Sequence, residues 1–484
     1  MNSSHCRRFE TPGTQSRRQF LSRAALGMGS VALANFFGAT PGQAAGAMPG
    51  LPGLPHFSPK VKRIIYFFMS GGFSQLEAFD HKPVLTERVR QPMPDAIFGE
   101  NKPVGMSRFQ ANFLSVGSCY DFKQHGQSGA WISSAFPHLA RHADRLCFLK
   151  GMVSEAVNHD PAIMFMNSGS QLPGRPSMGA WLSYGLGSEN SDLPAFIVLV
   201  TRKFVDQPLS TRLWDSAFLP SQHQGVAFRP AKDPVLFLGN PEGLPAALHR
   251  KSLDRLREVE EDELSRTGEA EISALIAQHE MAFRMQTSVP EVTSIDGESK
   301  ATLELYGPDV EKPGTFARHC LLARRLCERG TRFVQLYHPG WDHHSGLPTY
   351  FDECSKEIDQ PVAGLLEDMD KRGLLDDTLV VFGSEFGRTS YSQGAISPEA
   401  YGREHHRDAF TFWMAGAGVK PGMTYGATDE FGFHVVDGRV TVNDLHATML
   451  HLLGINHERF TFRFQGRDYR LTDVAGEIVK PVLS

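Results

Sequence analysis

The stretch T-R-F-V-Q-L-Y-H-P-G-W-D-H-H, residues 331–344, decides how the rest of the chain is read. Residues 331–337 form an apolar run with β-branched and aromatic side chains, which predicts a buried strand. The run opens into a loop at Gly340-Trp341-Asp342-His343-His344, and a helical pattern begins near Tyr350. An acid and two imidazoles where a strand gives way to a loop are what a divalent metal site needs. Two later clusters have the same character. Gly383-Ser384-Glu385-Phe386-Gly387-Arg388 follows a strand-like run at 378–383, and Gly402-Arg403-Glu404-His405-His406 precedes one at 409–415.

Working outward, apolar runs at 61–69, 145–151 and 194–200 predict further strands, and residues 131–143, 316–329 and 359–372 show helical spacing. Another helix is expected from Pro161, a residue suited to a first helical position. Strands alternating with helices indicate an α/β fold with a doubly wound, mostly parallel sheet covered on both faces. Residues 81–130 are rich in Pro, Gly and polar side chains and read as a long excursion. The charged, Pro-free stretch 248–286, with apolar residues at helical spacing, reads as a helical arm inserted at about 248–290. In parallel α/β folds ligands bind beyond the carboxyl ends of the strands. The loops 70–80, 158–160, 342–344 and 385–388 are all expected there.

Composition narrows the function classes. The 484 residues carry a formal net charge of −5 without a basic stripe, which argues against a nucleic-acid partner. Of the six cysteines, Cys6 lies near the N-terminus and the other five lack metal-type or C-x-x-C spacing. Neither a disulfide framework, a zinc–thiolate site nor thiol redox chemistry is expected. Ser16-Arg17-Arg18-Gln19-Phe20-Leu21 reads as a twin-arginine export motif, followed by a modest apolar region at 24–37 and a small-x-small site at Ala45-Gly46-Ala47. The expectation is a signal peptide over 1–47, a mature domain over 48–484, the twin-arginine translocase as export partner, and a periplasmic or extracytoplasmic location.

Each cluster admits a chemical and a plain structural reading. Asp342 and His344 form a D-x-H pair able to hold one ion, or a polar turn with a capping acid. In the first case His343 points away. Glu385 is a carboxylate ligand or a salt-bridging acid, and Arg388 clamps an anionic oxygen or pairs with a nearby acid. The 404–408 run is part of a site or a surface loop. His159 beside Asp160 is functional or a capping arrangement. Asp444, at the start of an apolar helix, is read as a capping acid. Carboxylate with imidazole suits zinc, manganese or iron, and an oxygen-rich site suits magnesium or calcium.

Taken together, S-R-R-x-F-L, M-S-G-G-F-S-Q-L-E-A-F-D-H-K-P, N-H-D-P-A, G-W-D-H-H, F-G-S-E-F-G-R-T, G-R-E-H-H and D-L-H-A-T-M-L-H-L-L-G-I resemble the domain of unknown function 1501 family. That bacterial family is often twin-arginine exported and is assigned to the alkaline phosphatase/sulfatase-like superfamily. The resemblance runs through to Gly466-Arg467-Asp468. It implies a metal site at the carboxyl edge of the sheet and hydrolysis of a phosphate or sulfate ester. Asp342 and His344 match an acid-then-His metal pair, Glu385 the acid of a later Asp-His pair, and His405 a late His ligand. The chain departs from the pattern in three places. Ser70-Gly71-Gly72 stands where a bridging Asp is expected, with Asp80 or Gln75 as substitutes. No Ser, Thr or Cys nucleophile lies at the start of the helix after the second strand, where Asn158 and His159 stand and Ser154 comes early. Phe386 replaces the His of the Asp-His pair. With these departures, the resemblance implies one divalent ion (Zn, Mn, Ca or Mg) on Asp342, His344, Glu385 and His405. Arg388 is expected to neutralise charge on an anionic ester, with His159 as acid/base or nucleophile. The alternative is a non-catalytic binding or assembly component on the same fold.

Overall fold

The computed structural model describes residues 49–99, 106–201, 208–229, 234–235, 238–240, 243–397 and 400–484. The signal peptide expected at 1–47 lies outside them. In chain order the strands that position the site are β1 (Arg63–Ser70), β2 (Cys147–Val153), β3 (Phe196–Val200), β4 (Val226–Phe228), β5 (Phe333–Pro339), β6 (Thr378–Gly383), β7 (Gly387–Gln393), β8 (Gly402–His406), β9 (Phe410–Gly416), β10 (Thr424–Tyr425) and β11 (Val440–Thr441). The helices used below are α1 (Gln75–Ala78), α2 (His159–Ser168), α3 (Met178–Leu186), α4 (Ala246–Thr267), α5 (Ala270–Thr293), α6 (Phe316–Glu328), α7 (Leu347–Lys371) and α8 (Val442–Leu452).

A nine-stranded sheet runs β10-β2-β9-β6-β1-β5-β3-β4, with β11 also paired to β2. β1 sits at its centre, parallel to β5 and β6. β9 is antiparallel to both of its neighbours, so the sheet is mixed. The central strands are apolar throughout because both faces are covered. Ile65, Phe67, Val334, Leu336, Val380 and Phe382 join one core with α6 and α7, through Leu321, Leu326, Ile358 and Leu365. Their neighbours Ile64, Tyr66, Phe68, Phe333, Tyr337, Leu379 and Val381 join a second core with α2, α3 and α8, through Ile163, Trp181, Leu182 and Met449. This alternation is the two-residue strand period expressed on two buried faces. Burying each large side chain contributes about 1.5–3 kcal/mol.

Three sequence expectations need correction. Residues 131–143 are not a helix. They begin as the strand Ala130–Ser133, in a hairpin with Phe122–His125, and continue into the 3₁₀ turn Leu139–Arg145. Pro137 explains the difference, since it disfavours helical geometry at Phe136 and removes an amide donor. The helical patterns expected near Tyr350 and at 359–372 are one continuous helix, Leu347–Lys371, which runs through Pro361. The loop expected at 385–388 and the 404–408 run instead enter a paired antiparallel ribbon, Gly387–Gln393 with Gly402–His406. The expected arm carries α4 and α5, tied by Arg250 to Glu280 at 2.7 Å, and α4 has no buried residue. Among the described residues no helix is long and apolar enough to cross a membrane.

Asp444 is a capping residue, as expected. Thr441 Oγ1 accepts from the Asp444 amide at 3.2 Å, and Asp444 Oδ2 accepts from the Thr441 amide at 2.8 Å. In the same helix His446 is fully buried and donates Nε2–H to the Met166 carbonyl at 2.9 Å. Burial depresses this imidazole to about 4, and does the same at His223. In the unfolded chain both titrate near 6.5, so between those values the unfolded state binds more protons and stability rises with pH. The fold should therefore lose stability as pH falls from about 6.5 towards about 4. Urea unfolding at pH 7 and pH 5 measures the loss, and His446→Gln should flatten part of it.

Candidate metal centre

The carboxyl ends of β5, β1 and β6 are neighbours, that of β2 lies at the same edge of the sheet beyond antiparallel β9, and the loops that leave them build one site. β1 ends in Gly71 and Gly72, with φ of +121° and +75°. A Cβ on Gly71 would stand 2.6 Å from the Asp342 amide nitrogen. Gly71 thus lets the Asp342 loop lie against the end of β1, at the place where a bridging acid was expected, and Gly72 leaves room for the Phe386 ring, which a Cβ there would meet at 2.6 Å. Asp80 does not fill that role. It accepts from Thr428 Oγ1 at 2.6 Å and pairs with Lys82 at 3.3 Å. Gln75 is also committed elsewhere, bonding both the amide and the carbonyl of Arg388 at 3.0 Å.

The Asp342 loop is anchored by Trp341, which is fully buried and donates Nε1–H to His338 Nδ1 at 3.0 Å. That bond places the His338 proton on Nε2, 2.8 Å from Glu357. His343 is not among the converging residues. It is buried, with Nε2 2.8 Å from the Gly340 carbonyl.

Four side chains converge on one point: His159 from the first turn of α2, Asp342 and His344 from the loop after β5, and His405 from β8. Their ligand atoms all lie within 4.8 Å of one another. Asp342 Oδ2 is 3.1 Å from His159 Nε2, while Oδ1 is 2.9 Å from His344 Nε2 and 3.2 Å from His405 Nε2. The two nitrogens of His344 and His405 are 3.0 Å apart.

The partners on the far side of each ring fix where the protons are. His159 Nδ1 faces Glu385 Oε1 at 2.7 Å, His405 Nδ1 faces the Val157 carbonyl at 2.8 Å, and His344 Nδ1 faces Gln393 Oε1. Carboxylate and carbonyl oxygens can only accept, so each neutral ring carries its proton on Nδ1. Three Nε2 lone pairs and a carboxylate are then directed at one another. Such an electron-rich cluster is stable only with a cation among its members. Within the protein alone that cation is a proton on His159. Burial opposes the charge, but hydrogen bonds with Asp342 and Glu385 raise this imidazole to about 9. Burial likewise works against ionised Asp342, yet the imidazoles against it, His159 foremost, and the Arg388 charge hold its carboxyl far below the usual range. Burial and the neighbouring Arg388 and His159 charges push His405 down to about 4. The donor set fits a divalent ion, because a metal takes neutral imidazole and carboxylate and displaces the proton.

Two expected site residues lie outside the four. Glu385 is fully buried one layer deeper, where it accepts from His159 and from the Gly71 amide at 2.9 Å. Arg388 is fully buried and spends its N–H groups on the Gly71, Gly72, Trp341 and Arg403 carbonyls and on Asp342, the last at 2.6 Å. These bonds hold the buried guanidinium against the Asp342 carboxylate. Phe386 forms an apolar wall, with its ring 4.5 Å from that of His405. Ser154 lies in the β2 exit loop, outside the cluster.

Local sequence carries no sign of the parts played by Gln393 and Val157, because each contact is made at long separation in the chain or by backbone. Gly402 is equally silent. A Cβ there would meet the His344 carbonyl oxygen at 1.9 Å. Gly402→Ala should drive β8 from the His344 loop, cost about 1–3 kcal/mol as overpacking does, and weaken metal binding. Thermal unfolding and a zinc titration of the variant check both effects.

This is an α/β protein of doubly wound type with a three-histidine, one-aspartate cluster at the carboxyl edge of its sheet. The chain belongs to the family described as Protein of unknown function (DUF1501), whose model matches residues 61–483. No curated protein sequence matches it. Among solved structures it is similar to a protein in the alkaline phosphatase superfamily from Vibrio parahaemolyticus (10% identity, 91% of this chain and 76% of that one, TM-score 0.35). It is also similar to the lipoteichoic acid synthase LtaP from Listeria monocytogenes (9% identity, 84% and 76%, TM-score 0.34). A third is the PsFucS1 sulfatase from Pseudoalteromonas sp. (10% identity, 82% and 68%, TM-score 0.34). At these TM-scores the likenesses carry no weight for the chemistry, which rests on the residues themselves.

Proposed function

We propose that this protein is an exported, metal-dependent hydrolase of a sulfate or phosphate ester, with one divalent ion held by His159, Asp342, His344 and His405. The observation that supports the reading is the convergence of three Nε2 lone pairs and one carboxylate whose outer hydrogen bonds all turn the donor atoms inward. An ion bound there would supply Lewis acidity for an ester oxygen and lower the pKa of water. The chain's own residues do the rest. Arg388 fixes the Asp342 carboxylate, Glu385 and the Val157 carbonyl fix two of the rings, and Phe386 keeps one wall dry.

With no hydroxyl or thiol at the expected nucleophile position, water is the attacking group in this reading. His159 belongs to the ion's donor set and is not proposed as a nucleophile. Export by the twin-arginine translocase to a periplasmic or extracytoplasmic location is part of the same proposal, supported by the Arg17-Arg18 motif.

The test is turnover of p-nitrophenyl sulfate, p-nitrophenyl phosphate and bis-p-nitrophenyl phosphate by metal-loaded protein. Hydrolysis of at least one ester that disappears on chelation and returns with the metal is expected. A metal-loaded protein inert towards all three would favour a binding or assembly role.

A further inference from the structure

Resting on the metal-dependent reading above, we infer that the centre selects a nitrogen-seeking transition ion, zinc foremost, over calcium and magnesium, and that buried Glu385 sets this preference by holding His159 among the donors. Calcium takes six to eight oxygen ligands, and magnesium demands an octahedral, largely oxygen and water shell. Imidazole suits zinc, iron, copper and nickel. The cluster offers three imidazole nitrogens and a single carboxylate.

The oxygens that would be needed for a harder ion stand nearby but are already used. Glu385 Oε1 accepts from the Gly71 amide at 2.9 Å and from His159 at 2.7 Å, and Oε2 lies 2.9 Å from Ser384 Oγ. Glu404 Oε2 accepts from the Ser107 amide at 2.8 Å and lies 3.1 Å from Ser107 Oγ, while Oε1 accepts from the His405 amide at 3.0 Å. Both acids are buried, so turning either towards an ion would strand amides without acceptors. Gln393 Oε1 is occupied by His344 Nδ1.

Glu385 acts through His159. Its carboxylate keeps the imidazole proton on Nδ1, which leaves Nε2 as a donor, and its negative charge makes that nitrogen more basic. The ring also packs against Phe386 and the edge of His405, at centroid distances of 5.1 and 4.4 Å. Glu385 therefore occupies a positioning role one layer behind the ion, in place of the direct ligation expected from the sequence.

The experiment is a competition titration of metal-stripped protein with a chromophoric chelator. It compares Zn²⁺, Ca²⁺ and Mg²⁺ in wild type, Glu385→Gln and Glu385→Ala, with cobalt(II) absorption as a second readout. Zinc should bind at least tenfold more tightly than calcium or magnesium. Glu385→Ala should weaken zinc about 10–100-fold and alter the cobalt spectrum, with Glu385→Gln, which keeps an acceptor, between the two. If Glu385→Ala does not fold, the Glu385→Gln affinity and spectrum decide. Calcium or magnesium binding as tightly as zinc overturns the inference while leaving the hydrolase reading intact. Unchanged zinc affinity in both variants overturns the role of Glu385. Binding of no ion at all overturns this inference and the functional reading together.

Discussion

Replacing Glu77 with alanine should destabilise the protein by about 3–5 kcal/mol, the cost of breaking a buried ion pair from one side. Glu77 and Arg403 are both fully buried. Arg403 Nη2 and Nε lie 2.7 and 3.0 Å from Glu77 Oε1, and Tyr401 Oη adds a bond at 3.2 Å. Ser74 Oγ serves the other carboxylate oxygen. The remaining Arg403 N–H groups go to the carbonyls of Thr389, Val116 and Gly117. Removing Glu77 leaves a guanidinium charge in a dry interior with neutral acceptors only. Arg403→Met should do comparable harm by stranding the carboxylate. The double variant Glu77→Leu/Arg403→Met should cost less than the sum of the singles, because neither charge is then left alone. Urea denaturation of the three variants measures the coupling. The lock matters for the site because Arg403 lies two residues before His405 on β8. Glu77→Ala should therefore weaken metal binding as well as the fold.

Asp342→Ala has the largest expected effect on function. Asp342 is the one acid of the four and contacts all three histidine nitrogens. Without it the centre keeps three imidazoles, loses the charge that offsets a divalent ion, and retains Arg388 close by. Metal affinity should fall by more than the roughly 10–100-fold that partners behind the ligands command, and ester turnover should drop to the metal-free background. The fold should lose stability, because buried Arg388 is left without a carboxylate partner, but survive, since the guanidinium keeps four carbonyl partners from Gly71, Gly72, Trp341 and Arg403. Metal titration with circular dichroism on the same sample separates loss of binding from loss of structure.

Much of this architecture is legible in the sequence, for identifiable reasons. Buried strands such as β1 and β6 announce themselves as unbroken apolar runs, and the loops at their ends follow from the parallel topology. Three of the four converging residues, Asp342, His344 and His405, stand out because acids and imidazoles cluster there. His159 stands out too, but in another role. What escapes a reading of the sequence depends on pairing at long range. The 404–408 run reads equally as part of a site or a surface loop because such side chains are buried only when paired. The partner of Arg403, Glu77, lies 326 residues away. Glu385 looks like a ligand from its place after β6. Only the Gly71 amide and the His159 ring, both brought in from other parts of the chain, show that its oxygens are taken. The same holds for Arg388, whose fork closes on carbonyls that no local pattern reveals.

That His159, Asp342, His344 and His405 together hold one divalent ion is tested most directly by elemental analysis of the purified, folded protein after incubation with zinc and removal of excess. One ion per chain is expected in the wild type, and none when all four residues are replaced by alanine in a chain that still folds. A wild-type protein that retains no metal, or a fourfold variant that retains as much, would contradict it.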